Sequence, residues 1–75
     1  MLKSKKQLKE FVKVRNESSF QNNMQFAIDA EECGFRINEL GEAKKIENEN
    51  GTVTYVWNTP FGQLIEEMGK LRLED

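Results

Sequence analysis

Apolar positions recur every three or four residues toward both ends of this 75-residue chain and every second residue through its middle. Leu8, Phe11 and Val12 follow the i, i+3, i+4 spacing of a helical face, while Lys5, Lys9 and Lys13 return every fourth residue on another. The pattern predicts a basic amphipathic helix within residues 1–15. Asn16-Glu17-Ser18-Ser19 interrupts it, and Ser18 with Gln21 three positions on makes a capping-box signature for a second helix. That helix is expected to run to Cys33, with Phe20, Met24, Ala27 and Ile28 on its buried face and Gly34 as its terminator. Met24, Phe26, Ile28 and Ala30 also fit a strand period, but Ala27, Ala30, Glu31 and Glu32 favour the helix.

Phe35 to Leu40 alternates as a short strand ending at Gly41. Asn50-Gly51 then lies between Lys44-Lys45-Ile46-Glu47 and Thr52-Val53-Thr54-Tyr55-Val56-Trp57, and Asn-Gly suits a two-residue type I′ hairpin turn. Such a turn pairs Glu47 with Thr54, Ile46 with Tyr55, Lys45 with Val56 and Lys44 with Trp57. It puts Ile46, Val53, Tyr55 and Trp57 on one face. Thr59 as cap and Pro60 at the first helical position announce a last helix, along which Phe61, Leu64, Ile65, Met68 and Leu71 form one apolar stripe. The expected fold is α+β: a small single domain, α-α-β-β-β-α, with a three-stranded antiparallel sheet packed on the C-terminal helix.

Length leaves room for a single domain over residues 1–75. Leu, Ile, Val and Phe together make up about a quarter of it, enough for a core. No apolar run approaches a membrane span, and the lysine-rich start leads into polar sequence, so a cytoplasmic location and no membrane partner are expected. A chain this short buries only about 60% of the surface its unfolded form exposes, which favours a second copy or a larger partner as added support. A homodimer is therefore among the expectations.

Charge divides the domain. Residues 1–15 carry six basic side chains against Glu10, whereas 16–75 carry five basic against twelve acidic, so a basic helix, loosely attached, precedes an acidic body over 18–75. Histidine is absent and Cys33 is the lone cysteine, which leaves no visible acid–base or nucleophilic pair and no zinc-ligand set. Glu31-Glu32 and Glu66-Glu67 lack calcium-loop spacing, and the glycines are too dispersed to cradle a phosphate. No catalytic residue, metal or cofactor is expected. Tyr55 and Trp57 have the chemistry to stack bases, but they read more simply as core, with Lys44 against Trp57 at the rim.

These features point to a small non-enzymatic protein-binding module, an inhibitor or regulator of a larger intracellular machine, of the compact kind phages use against their hosts. Its expected contact surface is acidic: Glu31, Glu32, Glu39, Glu42, Glu47 and Glu49, a set able to mimic nucleic acid toward a basic channel. The alternative is weak, nonspecific nucleic-acid binding by Lys5, Lys6, Lys9, Lys13 and Arg15 on the first helix. Lysine lacks the bidentate fork that reads bases, so such binding would follow the phosphate backbone.

Overall fold

The computed structural model describes residues 1–17 and 23–74. In chain order they form α1 (Lys5–Glu17), α2 (Asn23–Glu32), a 3-10 turn (Ile37–Leu40), and strands β1 (Lys44–Glu47), β2 (Val53–Thr59), β3 (Gly62–Glu67) and β4 (Lys70–Glu74). The strands make one antiparallel sheet in the order β1-β2-β3-β4. The sheet thus has four strands where three were expected, and the expected C-terminal helix is a β-hairpin. The capping signature at Ser18 and Gln21, and Phe20, lie outside the described residues.

The C-terminal correction has a physical cause. A helix through 60–72 would carry Gly62 and Gly69 in its interior, at a cost of about 1 kcal/mol each relative to alanine. The hairpins use both glycines at turns, where their φ values are +127° and +79°. Pro60 and Phe61 form the loop between β2 and β3, and Thr59 Oγ1 accepts the Phe61 N–H at 3.1 Å while donating to the Gly62 carbonyl at 2.7 Å. A Cβ on Gly62 would stand 2.7 Å from the Glu74 carbonyl oxygen, so β4 can lie this close only against glycine. The stripe of Leu64 and Leu71 survives in another form, with both side chains on the helix-facing side of adjacent strands.

The helices cover that one face. Leu8 and Phe11 of α1, Ala30 of α2, Phe35, Leu40, Leu64 and Leu71 form the core, with Phe26, Trp57 and Leu73 packed against it. Leu8 and Phe11 are fully buried, so α1 is anchored and not loosely attached. An aromatic chain crosses the layers: Phe35 meets Phe11 edge-on at 5.3 Å, Phe11 meets Phe26 at 5.0 Å, and Phe26 stacks on Trp57 at 5.7 Å. Trp57 is therefore covered by α2 in place of a C-terminal helix. The one cation over an aromatic ring among the described residues is Arg15, 5.2 Å from the Phe26 centroid, where Lys44 on Trp57 was expected.

The expected strand at Phe35–Leu40 is a buried Phe35 followed by the 3-10 turn. The Glu39 carboxylate accepts the Arg36 N–H at 2.7 Å and the Leu2 N–H at 2.9 Å, which closes the turn and ties the start of the chain to it. At the end of α2, Phe35 N–H bonds to the Ala30 carbonyl and Gly34 N–H to that of Glu31, the paired bonds of a Schellman ending, as Gly34 led us to expect.

The β1–β2 hairpin exists, but its register is one residue away from expectation: Lys44 faces Val56, Lys45 faces Tyr55, Ile46 faces Thr54 and Glu47 faces Val53. The turn is not type I′. Gly51 N–H bonds to the Asn48 carbonyl and Asn48 N–H to that of Thr52, which makes a three-residue loop with Gly51, at φ +86°, forming the bulge. The Asn48 amide donates to the Thr52 and Thr54 hydroxyls at 3.0 and 2.9 Å, holding this register. A one-residue slip exchanges faces. Ile46 consequently leaves the Tyr55 and Trp57 face and remains 39% exposed.

Candidate functional site

Three surfaces bear on function, and the first is the outer side of α2. The helix turns Phe26, Asp29, Ala30 and Cys33 inward, at i, i+3, i+4 and i+7, which reverses the face expected from the sequence. The cause is Arg15. Its guanidinium lies 2.9 Å from the Asp29 carboxylate, both side chains are less than a tenth exposed, and Gln25 donates to the other Asp29 oxygen at 2.9 Å. Burying a charge is tolerable only with such pairing, so α2 must present Asp29 to Arg15. Met24 and Ile28 are turned outward as a result, 74% and 41% exposed. With Glu31 and Glu32 they occupy i, i+4, i+7 and i+8 of one helix, a short apolar patch continued by two exposed carboxylates.

The second surface is the lysine face of α1. Lys6, Lys9 and Lys13 are exposed and fall at i, i+3 and i+7, while Lys5 is half-buried. Arg15 takes no part in it, because it is 6% exposed and engaged with Asp29. Between α1 and the end of α2 runs a groove of about 410 Å³, lined by Ser4, Lys6, Gln7, Glu10, Val14, Glu32 and Cys33. The two charge classes expected to serve different partners thus meet across one groove, Lys6 on one wall and Glu32 on the other. Burial pushes the Cys33 thiol up from its ordinary value, and the negative charges of Glu10, Asp29 and Glu32 add to the effect, which disfavours the thiolate.

The third surface is the sheet side away from the helices together with the β1 edge. Every residue of β1 is exposed. Glu47 lies on β1 and Glu49 in the loop after it; Glu42 is exposed ahead of β1. Glu39 differs from the rest of the acidic set. Its carboxyl is held below the ordinary carboxylate value, chiefly by the Arg36 N–H and then by that of Leu2, and its oxygens serve the fold. The six acids therefore divide among α2, the 3-10 turn, the segment before β1, β1 itself and its loop. Among the described residues, no group of three or more candidate ligands is placed to hold a metal ion.

Sequence reading missed Met24 and Ile28 as surface residues. The signal was available only through Arg15 and Asp29, since a buried acid selects the helix face that meets its cation. Among the described residues, no helix is long and apolar enough to cross a membrane. Comparisons of the chain with protein-family models, with curated proteins and with solved structures find no match.

Proposed function

We propose that this chain is a non-enzymatic protein-binding module, an inhibitor or regulator that docks on a larger partner through the outer face of α2. The observation that carries the reading is the exposed Met24 and Ile28 pair flanked by Glu31 and Glu32. Two large apolar side chains one helical turn apart, with carboxylates beside them, suit a partner surface that is apolar at its centre and basic at one side. Methionine adapts to an irregular pocket, and the carboxylates raise the encounter rate and set orientation. On this reading the module works in the cytoplasm, where a lone thiol stays reduced.

Capture from a bacterial lysate in the presence of nuclease tests the proposal when wild type is compared with Ile28→Glu. One stoichiometric protein retained by wild type and lost with Ile28→Glu is the expected result, with matching thermal melts showing that both chains are folded. Retention unaffected by Ile28→Glu would overturn the α2 reading.

A second reading rests on the exposure of Lys6, Lys9 and Lys13 along one side of α1. Phosphate-backbone binding there predicts retention on DNA or RNA at low salt that falls steeply as salt rises. Lys9→Glu with Lys13→Glu would abolish it, and nuclease would strip whatever had been captured. The acidic net charge of −2 weighs against this second reading.

A further inference from the structure

The two edges of the sheet are treated differently. On β4, the Asn16 side chain of α1 acts as a substitute strand: its amide donates to the Leu71 carbonyl at 2.9 Å, and its oxygen accepts the Leu71 N–H at 2.8 Å. On β1, the Asn48 N–H bond to the Thr52 carbonyl sets the alternation, so Ile46 and Lys44 turn their backbone groups toward β2 while Lys45 and Glu47 turn theirs outward. Among the described residues no backbone hydrogen bond outside the sheet reaches those outward groups. An open edge of this kind is a template for another strand.

We propose that β1 pairs with β1 of a second copy, antiparallel about a two-fold axis through Ile46. The axis must stand perpendicular to the sheet, so one residue lies opposite itself and its neighbours pair crosswise. Charge chooses that residue. An axis at Lys45 sets lysine against lysine, and one at Glu47 sets glutamate against glutamate; both are repulsive. An axis at Ile46 sets Lys45 opposite the partner's Glu47 twice over, and these two positions are the ones whose backbone groups point outward. The same register brings the two Ile46 side chains together on the open face of the sheet, which reduces an exposure of 39%. Lys45 and Glu47 already reach toward each other within one chain, Nζ to Oε1 at 3.9 Å, so both are placed on the same face to exchange partners.

The pairing strand is four residues long. That is short of the ~1,200–2,000 Å² which stable specific interfaces bury, so the dimer belongs to the weak, concentration-dependent class.

Sedimentation equilibrium from micromolar to millimolar protein tests the proposal. Wild type is expected to show reversible dimerisation. Lys45→Glu is expected to weaken it by about tenfold, two favourable cross-strand charge pairs having become two repulsive ones, and Lys45→Glu with Glu47→Lys is expected to restore it. Register is read independently by disulfide trapping in a Cys33→Ala background. Ile46→Cys is expected to cross-link to its own copy under mild oxidation, because residues facing across a non-hydrogen-bonded pair have the Cβ separation a disulfide needs, and Lys45→Cys is not. A chain that stays monomeric at millimolar concentration, or cross-linking that is equal at positions 45 and 46, would overturn the proposal. Dimerisation unaffected by Lys45→Glu would also do so.

Discussion

Along β4 the outward backbone groups of Leu71 are both satisfied by Asn16, and α1 behind it sinks Leu8 and Phe11 into the core. Along β1 no backbone hydrogen bond outside the sheet reaches the outward groups among the described residues, all four side chains are exposed, and the strand is held by β2 on one side only. Stability is therefore concentrated in the half where α1, α2, β3 and β4 meet, and the β1 hairpin is a peripheral flap upon it. Cores stabilise in proportion to apolar area removed from water, and β1 contributes little of it. The sheet edge beside the core is closed to a further strand by Asn16, and the edge that carries least of the core is left open.

The contrast breaks most sharply under truncation. Phe11→Ala is expected to cost about 3–5 kcal/mol in urea denaturation, enough to unfold a domain of this size. Ile46→Ala, on the flap, is expected to cost no more than ~0.5–1 kcal/mol. Next comes the ion pair: Arg15→Met alone is expected to cost ~3 kcal/mol, because Asp29 is then a buried charge without its cation, with the Gln25 amide still on its other oxygen. Arg15→Met with Asp29→Leu is expected to recover most of that loss, since two packed apolar groups need no compensation. A double mutant no better than the single would show that geometry and not charge governs the site.

Smaller effects sharpen the edges. Asn16→Ala is expected to cost ~1–3 kcal/mol and to make the Leu71 amide exchange with solvent as fast as the outward amides of β1, read by hydrogen exchange. Met68 adopts φ +52° at the tip of the β3–β4 hairpin while 82% exposed, a left-handed conformation that a long side chain adopts at a cost. Met68→Asn is expected to raise stability by ~0.5–1 kcal/mol, because asparagine tolerates that region better.

The smallest effect is one of pH. The Glu39 carboxyl sits below its ordinary value in the folded chain, so its contribution is complete above the ordinary carboxylate range and is lost as pH falls through the depressed folded value. Acid titration of the melting temperature is expected to be shallower in that window for Glu39→Gln than for wild type.

Much of this arrangement could be read from the residues, and the places where reading failed share a character. Leu8, Phe11 and Val12 place α1, Gly34 ends α2, and Val53 to Trp57 make a strand, because each of these depends on local spacing or a local φ. The hairpin register could not be read so. Asn50-Gly51 serves a two-residue turn and a three-residue bulged loop equally well, and the choice falls to Asn48 bonding two threonine hydroxyls across the strands. Phe61 to Leu71 satisfies a helical stripe and a hairpin alike, and the close approach of Glu74 to Gly62 decides between them. At the candidate site, Glu31 and Glu32 were legible as exposed helix positions. Met24 and Ile28 were not, because only the tertiary pairing of Arg15 with Asp29 fixes which side of α2 faces out.

Asn16 and Leu71 are separated by 55 residues, whereas every strand pairs with its sequence neighbour. Hairpins of this kind close in ~1–10 μs, and each needs only a short loop. Bringing the first helix to the last strand closes a loop whose entropy cost exceeds that of a ten-residue loop by about 1.5 kcal/mol. Loop closure alone therefore favours the meander, and α1 is expected to join strands that have already paired. On that expectation the slow event is the meeting of the chain's first element with its last, and the side chain that seals an edge in the finished molecule marks its completion.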